Sequence, residues 1–81
     1  MVKPTRVVNE IRALRFGAGE MTQAELADRI GVTRQTVIAI EQGRYSPSLE
    51  VAFKIARVFG VPLETVFQYP KDLGSRRGRK P

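Results

Sequence analysis

Between Thr22 and Gln42 the apolar positions recur at spacings of three and four: Leu26, Ala27 and Ile30, then Val37 and Ile40. Residues so spaced share one helical face, so the stretch reads as two short amphipathic helices, about Gln23 to Ile30 and Arg34 to Gln42. The punctuation agrees. Thr22 and Glu25 have the spacing of a capping box, in which hydroxyl and carboxylate satisfy free backbone N–H groups at a helix start. Gly31 stands where the first helix must stop, because glycine enters the left-handed conformation at little steric cost. Thr33 caps the second helix, and Gly43 stops it.

The same pattern predicts three further helices. The first runs from about Val7 to Phe16, with Val7, Ile11 and Leu14 on one face and Gly17 and Gly19 ending it. The fourth runs from about Leu49 to Phe59. Its stripe is Leu49, Ala52, Phe53, Ala56 and Phe59, widened by Ile55. Either Ser46 or Ser48 caps it, since Pro47 can be a first helical residue. Gly60 stops it, and Pro62 forbids Val61 from continuing the helix. A short fifth helix covers about Leu63 to Gln68 and is closed by Pro70. No alternating strand pattern is visible. The expectation is an all-α, compact five-helix bundle.

Length changes this picture little: 81 residues make one small domain with a limited core. Charge changes it more. The net charge of +6 suggests a polyanionic partner. Residues 71–81, however, hold five Lys or Arg against one Asp, which is +4 of that total. With Leu73 as their one sizeable apolar side chain, they are expected to form a basic disordered tail behind a domain of residues 1–70. The balance of the domain is nearly neutral, so charge alone does not argue for a nucleic acid. With no Cys and no His, thiol chemistry and the usual zinc sets are excluded, and neither a metal nor a cofactor is expected. There is no nucleophile–base pair and no phosphate loop, so an enzyme is not expected. No apolar run approaches the ~20 residues that span a bilayer, and no secretory signal is evident. Those absences lead to the expectation of a cytoplasmic protein.

It is the geometry of the two helices that points to DNA. Two helices meeting at a three- to four-residue turn are held by apolar contacts across the corner. Ala27 is small where they meet, and Val37 and Ile40 pack back onto Leu26 and Ile30. The face turned away then carries Arg34, Gln35, Ile38, Ala39 and Gln42. A major groove about 12 Å wide admits one helix, and Arg and Gln have the paired donors and acceptors that fit guanine and adenine edges. Arg34, Gln35 and Thr36 lie at the helix start, nearest base edges on N-terminal entry. Ile38 could meet a thymine methyl, and Ala39 allows close approach. The N–H groups of the helix start, capped by Thr33, favour a phosphate. Gln23, at the start of its helix, and Arg44 with Tyr45, in the following loop, are further phosphate candidates. Each residue taken singly is equally readable as solvated surface.

The stretch TQAELADRIGVTRQTVIAIEQGRYSPSLEVAFKIARVFGVPLETVF resembles the helix-turn-helix domain of the Cro/CI-type, or XRE-type, repressors of bacteria and phages. The likeness covers about residues 8–69. Gln23, Ala27, Gly31, Val37 and Ile40 all sit at that family's spacing. It implies a lambda-repressor-like bundle of five helices with the third in the major groove. It implies base contacts by Arg34, Gln35, Thr36 and the position of Ala39, and a phosphate contact by Gln23. It also implies an ion pair between an arginine late in the first helix and the glutamate ending the third. Glu41 is that glutamate. Arg15 is the arginine by position, with Arg12 as its substitute because the connection FGAGEM is about one residue long.

The leading expectation is a sequence-specific regulator of transcription, a repressor bound to double-stranded DNA as a homodimer, with no small-molecule ligand. Val66, Phe67 and Tyr69 are candidates for the dimer surface, although Val66 and Phe67 equally suit the core. A rival is an antitoxin or co-regulator whose main task is binding a protein partner. A third is nonspecific nucleic-acid binding through the tail.

Overall fold

The computed structural model describes residues 5–70; the basic segment 71–81, expected as a disordered tail, lies outside the described residues. The chain runs β1 (Val8–Asn9), α1 (Ile11–Gly17), α2 (Gln23–Ile30), α3 (Arg34–Glu41), α4 (Leu49–Phe59), α5 (Leu63–Val66) and β2 (Phe67–Gln68). Five helices stand where five were expected, and the two ends of the set differ from expectation.

The first helix starts at Ile11, not Val7. Val7 and Val8 are β-branched and favour extended backbone. Asn9 then ends the extended segment, its Oδ1 accepting the Ile11 N–H at 3.1 Å. At the other end the chain leaves the helix after Val66, and Phe67 is extended at φ −126°, ψ 138°. The two extended ends pair antiparallel, Val8 with Gln68 and Asn9 with Phe67. The Glu10 N–H continues the ladder to the Val66 carbonyl at 2.9 Å. The all-α expectation is therefore corrected to a mostly helical domain tied shut by a two-stranded ribbon. Strands of two residues are too short to show alternation in a sequence.

The core is one cluster. Ile11, Leu26, Ile30, Val37, Ile55 and Val66 are its largest fully buried side chains, so every helix contributes at least one. In α4 the buried face is Ala52, Ile55 and Ala56, with Val51, Val58 and Phe59 packed against it. Leu49 and Phe53, expected inside, are 68% and 50% exposed. Apolar residues cover more of the α4 circumference than is buried, and the face turned inward carries Ile55 with the small Ala52 and Ala56 on its flank. Ser48 is the cap, its Oγ accepting the Val51 N–H at 3.2 Å. The Ser46 hydroxyl instead meets that of Thr5 at 2.6 Å.

The α2–α3 corner follows its sequence signals closely. Thr22 Oγ1 accepts the Glu25 N–H at 3.0 Å, and Glu25 Oε1 accepts the Thr22 N–H at 2.8 Å. Gly31 is left-handed at φ 74°, ψ 32°, and the Val32 N–H closes back on the Ala27 carbonyl at 3.0 Å. A Cβ added at Gly31 would meet nothing within 4 Å, so the demand for glycine is purely conformational. Gly31→Ala is expected to lower stability by about 1–2 kcal/mol, the cost of a left-handed residue with a Cβ, read as a lower urea midpoint at unchanged m-value.

Candidate nucleic-acid interface

Three sets of contacts fix α3. Along its length Val37 and Ile40 are buried against α2, where Leu26, Ala27 and Ile30 form the opposing face. At its C-terminal end the Asn9 side chain donates to the Ile40 carbonyl at 3.0 Å and the Glu41 carbonyl at 3.4 Å. The Ile40 carbonyl also accepts the Gly43 N–H at 3.0 Å, so Asn9 adds a second bond there and reaches a further carbonyl of the helix end. The third set is ionic. Arg15 Nε lies 2.7 Å from Glu41 Oε2, and Nη2 donates to Oε1 at 3.1 Å, a two-pronged pair. Arg15 Nη1 donates to the Met21 carbonyl at 2.9 Å. The Arg15 and Glu41 side chains are only 8% and 10% exposed. Arg15, and not Arg12, makes this pair; the Arg12 guanidinium lies over the Phe16 ring, 5.6 Å from its centroid.

What these contacts leave outside is the start of α3 and its flanks. Arg34, Gln35 and Gln42 are exposed, while Thr36, Ile38 and Ala39 are half-buried. Thr33 Oγ1 accepts the Thr36 N–H at 3.1 Å, and the two hydroxyls lie 3.0 Å apart. The cap therefore occupies part of the polar capacity of both threonines. Gln23 begins α2 and is half-buried, its Nε2 donating to Glu41 Oε1 at 3.2 Å. Its amide oxygen and second N–H hydrogen remain for another partner. Arg44 and Tyr45 are exposed in the loop after α3. An open groove of about 650 Å³ joins the ends of these elements and is lined by Arg12, Thr22, Gln23, Arg34, Glu41 and Gln42 among others. Besides the mutually neutralised Arg15–Glu41 pair its lining carries the charges of Arg12, Arg34 and Glu20, a net excess of one positive charge.

The residues proposed from sequence for the dimer surface separate. Val66 is fully buried, Phe67 is packed against the core, and Tyr69 is exposed. Asn9 was not identified from the sequence. The available signal was an asparagine directly before an apolar-periodic run, a helix-start cue that would have moved the start of α1 as well.

Two helices locked at a glycine turn, the second presenting a polar tip and a basic groove, define a helix-turn-helix domain of the kind that docks on nucleic acid. The helix-turn-helix family model matches residues 11–66, and the chain belongs to this family, of the XRE type. An uncharacterized HTH-type transcriptional regulator of Methanocaldococcus jannaschii is 58% identical over 52 residues, covering 64% of this chain and 79% of that protein. The HTH-type regulator YgzD of Bacillus subtilis is 52% identical over 60 residues, 74% of this chain and 85% of that one. The cryptic phage CTXphi transcriptional repressor RstR of Vibrio cholerae is 42% identical over 55 residues, 68% of this chain and 49% of the repressor. A crystal structure assigned as a DNA-binding protein from Bacteroides fragilis superposes with a TM-score of 0.66 over 76% of this chain and 98% of that one. At 21% identity it speaks to the fold alone.

The ion pair gives a stability prediction. Removing one partner of a buried pair strands the other charge, at a cost of about 3–5 kcal/mol, whereas replacing both by apolar residues of similar volume is often close to neutral. Glu41→Leu alone is therefore expected to destabilise severely, and adding Arg15→Met to restore most of the loss. Chemical denaturation of the two single variants and the double variant reads this as a large positive coupling.

Proposed function

We propose that this chain is a sequence-specific DNA-binding regulator of transcription, a cytoplasmic repressor that grips double-stranded DNA as a homodimer with α3 in the major groove. The observation that carries this reading is the exposed tip of α3, Arg34 and Gln35, on a helix whose other side is fixed by apolar core, a side-chain cap and a buried ion pair. A helix that cannot roll holds its outward side chains in one register, which readout of base edges requires. Arg34 and Gln35 are the principal base readers. Thr36, Ile38 and Ala39 continue that face along the helix, Thr36 through its remaining hydroxyl capacity and Ile38 and Ala39 through apolar contact.

Gln23, Thr33, Arg44 and Tyr45 take the phosphates on either side. Gln23 is well suited because Glu41 holds one of its N–H groups and leaves the rest of the amide facing the groove. With eight residues, α3 is about 12 Å long and reads a few base pairs. A two-fold dimer doubles the site, with half-sites about 34–36 Å apart. Phosphate contacts set the orientation and base contacts the sequence. The relatives named above as transcriptional regulators, one of them a repressor, support the same reading.

Selection from a random duplex pool is expected to return an inverted repeat with half-site centres about 10 base pairs apart; recovery of unrelated sequences at equal affinity would overturn the reading. Against the selected site, Gln35→Ala is expected to cost about 1–3 kcal/mol and to relax preference at one base position. A uniform loss across all sequences would make Gln35 a backbone contact instead. Deleting residues 71–81 is expected to flatten the log–log salt dependence by about 0.9 for each phosphate they neutralise.

A further inference from the structure

Leu49 and Phe53 fit the periodicity of a core stripe, yet they lie 68% and 50% exposed on α4. A single exposed apolar side chain is ordinary; two large ones a helical turn apart make a row. About 100° further round the same helix runs a second row, Glu50 and Lys54, in the same i, i+4 spacing. Their ion pair is loose, with 3.9 Å between Lys54 Nζ and Glu50 Oε2, and the side chains are 49% and 82% exposed for Lys54 and Glu50. Such a pair is worth little alone and leaves both charges free for another partner.

We infer that this face of α4 binds α4 of a second copy of the chain, antiparallel about a two-fold axis. The inference rests on the homodimer reading above and assigns it a surface. A two-fold axis at the level of Val51 and Ala52 brings Leu49 opposite Phe53 of the second copy, and Phe53 opposite its Leu49. The same operation brings Glu50 opposite Lys54 of the second copy, twice. The pattern is therefore self-complementary, which is the property an isologous contact demands. A parallel arrangement would carry the two Glu50–Lys54 rows to opposite flanks of the contact, where they cannot meet. An unrelated partner gives no reason for both halves of the match to lie on one helix.

The surface differs from the one expected in the sequence. Of Val66, Phe67 and Tyr69, only Tyr69 is exposed, whereas Leu49 and Phe53 look like core residues until the fold turns them outward. The row is short against the roughly 800 Å² per partner of a standard interface, so the dimer is weak in solution, with dissociation on the order of micromolar, and DNA consolidates it.

The test is sedimentation equilibrium of the full chain across micromolar concentrations at low salt. Wild type is expected to dimerise. Phe53→Ser is expected to be monomeric with unchanged helical circular dichroism. Glu50→Lys and Lys54→Glu each set like charges opposite one another twice and are expected to dimerise about tenfold more weakly. Mixing these two variants in equal amounts pairs opposite charges at both positions and is expected to restore the dimer; a purely intrahelical effect would not respond to mixing. Undiminished dimerisation in all three variants overturns the α4 contact and leaves the homodimer reading standing. A wild type monomeric throughout also overturns the α4 contact. The homodimer reading then stands or falls on whether the selected DNA sites are inverted repeats.

Discussion

A guanidinium and a carboxylate, 2.7 Å apart and each about nine-tenths withdrawn from water, join the first helix to the end of the third. Desolvating two charges is expensive, and attraction offsets it only where geometry is good and the remaining donors and acceptors are filled. Here Arg15 makes a forked contact with Glu41, and its third nitrogen donates to the Met21 carbonyl. Glu41 accepts a further bond from Gln23. The network thus touches α1, the connection before α2, the start of α2 and the end of α3. A shift of α3 along or about its axis would break a charged hydrogen bond in a medium where water cannot replace it.

That constraint explains how so small a domain keeps a surface helix in register. Val37 and Ile40 supply cohesion but little directionality, because apolar contacts tolerate sliding. Asn9 and the ion pair add direction at the C-terminal end of α3, and the Thr33 cap adds it at the N-terminal end. The exposed tip between these anchors carries Arg34 and Gln35. The same network reaches the groove, since Gln23, which lines it and is the proposed phosphate ligand, is also a partner of the buried carboxylate. In the proposed complex, positioning on phosphates and reading of bases would be mechanically one unit.

The two-stranded ribbon plays a parallel part for the ends of the domain. By pairing Val8–Asn9 with Phe67–Gln68 it places Asn9 under the end of α3 and commits Val66 to the core. A stand-alone ribbon of this length would not persist in water; it forms because α1 and α5 bring its strands together. Val66 and Phe67 are used internally, while Leu49 and Phe53 on α4 and Tyr69 beyond the ribbon stay exposed.

The sequence by itself determined the local features: the capping box at Thr22 and Glu25, the left-handed stop at Gly31, the cap at Thr33, and the apolar positions that face α2 and α3 toward each other. These depend on neighbours within four or five residues, so spacing alone reveals them. The outward position of Arg34 and Gln35 followed from them. Tertiary structure decided what depends on distant partners. Val7 to Glu10 leave the helix because Phe67 and Gln68 offer a ladder. Leu49 and Phe53 are exposed because the core packs on the face centred between Ala52, Ile55 and Ala56, and they lie at its edge. Asn9 and Gln23 acquire their roles because α3 ends beside them. Periodicity reports that a residue can be buried, and only the packing of the other helices selects which apolar residues are.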